Sequence, residues 1–359
     1  MINLLLTGLL TLVSLNCENL FDCQHDSLKN DQEWTPEGTN HWTRTRYWHK
    51  LNNIGREILA CGELTNAGWD GSEGDFQLPD LVALCEVEND SVLFDLSKRS
   101  LLRNAKYEYV MTNSPDPRGI DVALLYSPFS FRLLHHHALH VEPLKDMHPT
   151  RNILYVAGLL ASGDTLHVFV VHAPSRSGGE VLTRPHRMQV AHRLTAAIDS
   201  LHVLSPNANI LVAVDFNDYS RDKSIRYLEE SGLTEVSKQA QGSNGARGTY
   251  RFQGEWGSLD HIFASPTMTA RLTEVSKQAQ GSNGARGTYR FQGEWGSLDH
   301  IFASPTMSAR LTECIVFDAP FLLEDDEAYG GRKPRRNFLG PRYMQGFSDH
   351  LPLVARFRF

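Results

Sequence analysis

Cysteine is scarce in this 359-residue chain. The five residues, Cys17, Cys23, Cys61, Cys85 and Cys314, are odd in number, with no Cys-x-x-Cys pair and no Cys/His ligand spacing. That excludes a disulfide framework and a zinc site of the finger type. Positive charge is not in excess: Lys and Arg number 35 against 42 Asp and Glu, a formal net charge of −7. No global field therefore draws the chain to nucleic acid or to an anionic membrane, and a protein that coats DNA is excluded; a local site for phosphate is not. The apolar stretch Leu4 to Leu15 is too short for a transmembrane helix, so no stable membrane span is expected. The same stretch is apolar enough for the core of an export signal, yet no Lys or Arg precedes it and no small-x-small cleavage pattern follows. Two readings stay open. A shortened signal remnant implies a periplasmic or extracellular protein, and a first core strand with a ragged start implies a cytoplasmic one.

Apolar residues make up 41% of the chain and charged residues 21%, a balance that belongs to a soluble globular protein. Helical spacing of Trp48, Leu51, Ile54 and Ile58 predicts a helix over Tyr47 to Ala60. Another is predicted over Thr183 to Leu204, with Pro185 in its first turn and Met188, Ala191, Leu194, Ile198 and Leu201 as its packing stripe. The remaining apolar runs read as strands. Ile210 to Val214 is the most informative, because it ends in Asp215 and Asn217. Residues two apart in an extended chain share a face, so a carboxylate and a carboxamide should leave this strand end together. Taken alone, this is also ordinary turn chemistry.

Similar pieces recur. Leu12 to Leu15 runs into Asn16-Cys17-Glu18-Asn19, and Pro79 to Leu84 leads through Cys85 to Glu86. Val168 to Val171 ends in His172, Ser297-Leu298-Asp299-His300 puts an acid inside a strand pattern, and Ser348-Asp349-His350 precedes the closing strand Leu353 to Phe357. Six strand ends thus carry Asp, Glu, Asn or His. Consecutive residues of a strand alternate faces, so His135, His136 and His137 cannot converge on one ion; with His140 they read as a solvated edge. The basic run Gly330 to Arg336 reads equally as a solvated surface and as a grip on a polyanionic substrate.

As a set, these motifs resemble the endonuclease/exonuclease/phosphatase superfamily, whose fold is that of deoxyribonuclease I. The resemblance rests on Asn16 to Asp22, Glu86, His172, Asp215 to Asp218, the Ser-Leu-Asp-His segment and Ser348-Asp349-His350. It runs from about Leu12 to Phe359, with every motif in family order. One departure is that Val214 stands where the family usually has Gly. The resemblance implies one α/β catalytic domain over residues 1–359: two mostly antiparallel sheets packed as a sandwich, helices outside, and a site where strand ends of both sheets meet. It implies a divalent-metal-dependent hydrolase of phosphate esters, foremost a phosphodiesterase or nuclease with in-line attack by water. A phospholipid or inositol-phosphate headgroup hydrolase and a catalytically impaired binding module are the alternatives. The expected partner is a phosphate-ester substrate, nucleic acid among the candidates, and the expected state is a monomer.

Phosphate-ester hydrolysis needs neutralised phosphoryl charge, an activated water and help for the leaving group. A hard cation with oxygen ligands supplies the first. The ligand set expected for Mg²⁺ or Mn²⁺ is Glu86 with Glu18, Asn16 and Asp349. His350 is the expected base, fixed by Asp299 or Asp260, and His172 the acid or oxyanion stabiliser. Asp215 and Asn217 would position water and phosphate, and Arg118 and Arg151 would contact the phosphate.

The chain also carries a tandem repeat. Leu233 to Arg271 recurs as Leu272 to Arg310 with a period of 39 and one difference, Thr269 against Ser308. That identity is too close for a solenoid. Slippage between two Leu-Thr-Glu triplets and a sequence-assembly error leave the same mark, and either way one copy is expected to be surplus. Asp260 and Asp299 then compete for one position, which falls to Asp299 because its copy joins directly to the C-terminal strand. One copy is expected in the sheet and the other outside it.

Overall fold

Aliphatic and β-branched runs form strands here because their side chains pack well on a pleated surface, and they lack polar alternation where both faces are covered. The computed structural model describes residues 9–62, 77–219, 222–235, 237, 250–252, 255–257, 289–291, 294–296, 299–303, 307, 310–328 and 330–359. In chain order the elements are β1 (Leu9–Leu20), α1 (Arg44–Ala60), β2 (Leu81–Val87), α2 (Asp90–Phe94), β3 (Glu108–Met111), β4 (Asp121–Tyr126), β5 (Phe131–Leu139), β6 (Ile153–Leu160), β7 (Thr165–His172), α3 (Glu180–Leu204), β8 (Asn209–Asp215) and α4 (Lys223–Glu230). There follow β9 (Thr234–Glu235), β10 (Tyr250–Phe252), β11 (Glu255–Gly257), β12 (Tyr289–Phe291), β13 (Glu294–Gly296), β14 (Asp299–Ala303), β15 (Leu311–Val316), β16 (Leu323–Asp325), β17 (Arg332–Pro334), β18 (Phe338–Leu339), β19 (Arg342–Tyr343) and β20 (Leu353–Arg358).

Two six-stranded sheets, ordered β15-β20-β1-β2-β4-β3 and β5-β6-β7-β8-β14-β9, form the body. Leu154 and Val156 of β6, Val168 and Val170 of β7, and Leu211 and Ala213 of β8 join one buried cluster with the strands of the first sheet. Their neighbours Ile153, Tyr155, Phe169, Val171, Ile210 and Val212 pack with Val190, Leu194 and Ile198 of α3 and with Ile225 and Leu228 of α4. Strict alternation thus gives the second sheet two apolar faces, one toward the first sheet and one toward helices. The sandwich with outer helices agrees with the fold expected from the sequence. The apolar segment from Leu9 is the core strand β1, while residues 1–8 lie outside the described residues.

Strand polarity gathers the motifs at one rim. In each sheet one pair is parallel, β1 with β2 and β7 with β8, so their C-terminal ends lie side by side. β20, β4, β6 and β14 run antiparallel to these and so begin at that rim. Two helices differ from expectation in detail. α1 starts at Arg44, where the hydroxyl of Thr43 accepts the Arg46 N–H, and its Lys50 is fully buried with Leu51, Ile54 and Ile58. α3 starts at Glu180, so Pro185 lies inside the helix rather than in its first turn, on an exposed position.

The repeat is divided between sheets. β9 comes from the first copy and β14 from the second, and the two pair directly, Phe302 opposite Glu235. The Tyr-Arg-Phe and Glu-Trp-Gly strands of both copies form two equivalent hairpins, β10 with β11 and β12 with β13. The hairpins join into a separate four-stranded sheet through β10 and β13. The expectation of one copy inside the sandwich and one outside is therefore corrected. The sandwich takes the head of one copy and the tail of the other, and the Tyr-Arg-Phe strands occupy no slot in it, because each pairs with the Glu-Trp-Gly strand of its own hairpin.

Candidate active site

The strand ends turn toward a common cleft through backbone that ordinary strands do not adopt. Glu18, Asn19, Glu86 and Asn217 all have positive φ, at 49°, 60°, 61° and 55°. The β1–β2 register breaks between Asn16 and Leu20, and the β2–β4 register between Cys85 and Val87. Such bulges with left-handed residues re-aim side chains at a sheet edge, and a non-glycine residue held there carries a strain of about 1–3 kcal/mol. Simple alternation consequently fails at these positions, which separates side chains that the sequence pattern would put on one face.

Asn16 is the first case. Its Nδ2 donates to Asp215 Oδ2 across the two sheets at 3.0 Å, and its Oδ1 accepts the Glu18 N–H at 2.9 Å. Both ends of the carboxamide are engaged and Asn16 is buried, so it ties β1 to β8. Glu18 points the other way. Its Oε2 accepts the Asn337 N–H at 2.6 Å, and its Oε1 lies 3.3 Å from both the Phe338 N–H and Nε of Arg336. Burial, and next the nearby Asp349 carboxylate, push Glu18 up to about 7. Arg336 also donates to Asp349 Oδ2 at 3.1 Å. Within the basic run, Arg336 alone lines the cleft, while Arg332 and Lys333 pair with Asp325 and Glu324. Lys50 sits beneath, its Nζ donating to the Phe347 carbonyl at 3.4 Å, and burial lowers its pKa.

Glu86 accepts the Asn19 N–H at 2.8 Å, and its other oxygen lies 3.8 Å from His172 Nε2. The same nitrogen is 3.5 Å from Asp215 Oδ2. Burial first, then the charges of Arg151, Arg118 and His350, hold His172 well below the usual imidazole range. The carboxylates of Glu86 and Asp215 both face Nε2. Arg118 donates to the Asn19 side chain and reaches within 3.9 Å of Glu86, with about half its side chain exposed. Arg151 is the other expected phosphate contact. It is buried, and its guanidinium donates to the His172 carbonyl at 3.2 Å, the Ala173 carbonyl at 2.7 Å and Asp116 at 2.9 Å. With those donors committed internally, it holds the end of β7. Asn217 likewise donates from Nδ2 to the Ala173 carbonyl and from its backbone to Asp215, stapling the ends of β7 and β8.

His350 is anchored through its N–H to Ser348 Oγ, which itself donates to the Asn16 carbonyl at 2.7 Å. The described backbone of β14 pairs Asp299 with Asp215, at the same rim; Asp260 lies outside the described residues.

One cleft of about 420 Å³ is lined by Glu18, Asn19, Glu86, Arg336, Asp349 and His350 at its inner end. Its outer end is formed by Glu33, Trp34, Thr39, Asn40, Phe338, Gly340 and Pro341. Among the described residues no three His, Cys, Asp or Glu side chains are already gathered in ligating geometry. Still, Glu18, Glu86 and Asp349 present only hard oxygen donors to one small space. The mutual repulsion of Glu18 and Asp349 is what a divalent cation would relieve, so the donor chemistry fits one. The outer wall had no signal in the sequence beyond scattered aromatics, and Arg336 was hidden within a run of like charges.

The geometry can be set beside known proteins. The sequence profile of the endonuclease/exonuclease/phosphatase family matches residues 11–282 and again 278–358, the overlap falling inside the repeat. No curated protein sequence matches the chain. Among solved structures, an endonuclease/exonuclease/phosphatase family protein from Bacteroides thetaiotaomicron superposes with a TM-score of 0.55 at 14% identity, covering 97% of each chain. A mannosyl-6-phosphatase from the same organism gives 0.54 at 15% identity, covering 96% of this chain and 98% of that one. D. rerio TDP2 complexed with a single-strand DNA product gives 0.50 at 15% identity, covering 98% and 99%. These likenesses concern the fold, whereas the profile spans nearly the whole sequence and contains each strand end that reaches the cleft. On that match the chain belongs to the endonuclease/exonuclease/phosphatase family.

Proposed function

We propose that this chain is a divalent-metal-dependent hydrolase of phosphate esters that uses in-line attack by water. Family members hydrolyse phosphate esters. The observation that carries the reading for this chain is the meeting of Glu18, Glu86, Asp349 and His350, from both ends of the sequence, on one cleft. Glu86, Glu18 and Asp349 would hold Mg²⁺ or Mn²⁺. Bound there, the ion would neutralise charge on the phosphoryl oxygens. His350 takes the proton of the attacking water, its backbone fixed through Ser348, and Asp299, whose strand begins at the same rim, would be the acid that orients its imidazole. His172 faces Glu86 and Asp215 with Nε2 and burial lowers its pKa, so of the two roles expected for it, oxyanion stabiliser suits it better than acid. Arg118, half exposed beside Glu86, adds positive charge for a phosphoryl oxygen. Asn16, Arg151 and Asn217 hold these groups in register from behind.

The test is hydrolysis of p-nitrophenyl phosphate and bis-p-nitrophenyl phosphate with Mg²⁺ or Mn²⁺, with and without EDTA. Activity should vanish in EDTA. Glu86→Gln and His350→Ala should each lower kcat by at least about a hundredfold while the circular dichroism spectrum is kept. Undiminished turnover in EDTA, or near-normal kcat in both variants, would refute the mechanism.

A further inference from the structure

The outer half of the cleft differs in chemistry from the inner half. Trp34 and Phe338 meet edge to face, 5.4 Å between centroids at 86°. Phe21 stacks behind Trp34 at 5.1 Å, so the indole is fixed in place. Beside this wall lies Asn40. Its backbone is fully used, the N–H donating to the Glu33 carbonyl and the carbonyl accepting from Arg46. Its carboxamide makes no hydrogen bond among the described residues, although Asn40 is only 8% exposed and lines the cleft. A donor and an acceptor are thus held at the edge of an apolar wall. Thr39 adds a hydroxyl and Glu33 a carboxylate at the exposed rim.

Charge decides what fits. Among the described residues, four carboxylates line the cleft, Glu18, Glu33, Glu86 and Asp349, and the lining cation, Arg336, is engaged by Glu18 and Asp349, while Arg118 reaches Glu86 from the side. No described Lys or Arg lines the outer half. A nucleic-acid strand carries phosphates on both sides of the scissile bond and is held through Lys and Arg contacts to them. Here a flanking phosphate would face Glu33 instead. An uncharged ring with several hydroxyls meets the opposite situation: its C–H groups meet the small part of Trp34 and Phe338 that the cleft exposes, 7% and 6% of each, and its hydroxyls find an amide, a hydroxyl and a carboxylate.

Resting on the reading as a phosphate-ester hydrolase, we propose that this outer pocket binds the leaving group and that the preferred substrate is a phosphomonoester of a sugar or similar polyol. In the reaction, water forms a new P–O bond as the ester P–O bond breaks. One water proton passes to His350 and is returned through solvent to the released alkoxide, the remaining O–H stays on phosphorus, and the products are inorganic phosphate and the free polyol.

The experiment compares kcat/KM with Mg²⁺ for a hexose monophosphate, p-nitrophenyl phosphate and a single-stranded oligonucleotide. The hexose phosphate should exceed the oligonucleotide by at least about tenfold. Asn40→Ala should reduce kcat/KM for the hexose phosphate about tenfold more than for p-nitrophenyl phosphate, since the aryl group has no hydroxyl for the amide to hold. The exposed Glu33→Lys should raise the oligonucleotide rate relative to the hexose phosphate. Preference for the oligonucleotide, or equal losses on both small substrates in Asn40→Ala, would overturn the pocket while leaving hydrolysis intact. Turnover of bis-p-nitrophenyl phosphate but not of p-nitrophenyl phosphate would likewise overturn the pocket, whereas failure on both would overturn the reading on which the pocket rests.

Discussion

Deleting residues 236–274 joins Glu235 to Val275, and because both copies begin Leu-Thr-Glu, the product has the same sequence as deletion of 233–271. β9 and β14 are both retained. The connection between them spans residues 236–298, 63 residues, and becomes 24 on removal of 39. Closure entropy scales with the logarithm of length, so the shorter connection should stabilise the fold by about 0.9 kcal/mol. One of the two hairpins is lost as well, but the hairpins meet only at Tyr250 opposite Gly296, so the remaining one keeps its own ladder. The expected shift in melting temperature is small and upward, on the order of 1–2 °C for a chain of this size. Calorimetry or urea unfolding would measure stability, and p-nitrophenyl phosphate turnover would measure the site. A loss of more than about 2 kcal/mol together with lost activity would show that both copies are structural, and the account of a surplus interval would be wrong.

Two further outcomes are expected. Asp218 and Arg187 are both fully buried, 2.6 Å apart at Arg187 Nε, and Asp218 also accepts from Arg176 and Ser224. Asp218→Ala strands a buried guanidinium and should cost roughly 3–5 kcal/mol in urea unfolding; a change near zero would contradict the pairing. Cys23 is the one cysteine not fully buried, and burial, followed by the charges of Asp22 and Glu88, pushes its thiol up to about 11. At pH 8 its thiolate is about two orders of magnitude scarcer than that of a free cysteine, so iodoacetamide labelling should be slow and should accelerate toward pH 11. Rapid labelling at neutral pH would sink that assignment.

The strand ends were legible because buried runs such as Ile210 to Val214 and Val168 to Val171 stop at polar residues, and strand polarity alone then brings His172, Asp215, Glu86 and Asp349 to one rim. The aim of each side chain was not legible. Alternation predicts that Asn16 and Glu18 share a face, yet Glu18 is in left-handed backbone within a bulge and the two point to different partners. Arg151 and Arg118 look alike in the sequence. Only the carbonyls of His172 and Ala173, exposed where β7 ends, decide that Arg151 is internal. Asn40 and Trp34 were invisible because a loop wall has no period. Arg336 could not be told from Arg332 without knowing which neighbour carries an opposite charge.

The origin of β9 and β14 in different copies has a consequence for how the chain threads itself. Residues 260–264 have the same sequence as β14, so the slot beside β8 accepts either segment with the same contacts. What differs is where the excess 39 residues are spliced. In the observed threading, 63 residues precede β14 and 7 separate it from β15; in the alternative, the spacings are 24 and 46. Summed over both connections, closure entropy favours the observed isomer by about 0.8 kcal/mol, roughly fourfold in population. During synthesis the balance is reversed, because residues 260–264 leave the ribosome first and find β8 already present. The sequence of the repeat would thus permit a second topological isomer, favoured by order of emergence where the observed one is favoured by closure entropy, and passage between them would require the strand beside β8 to detach.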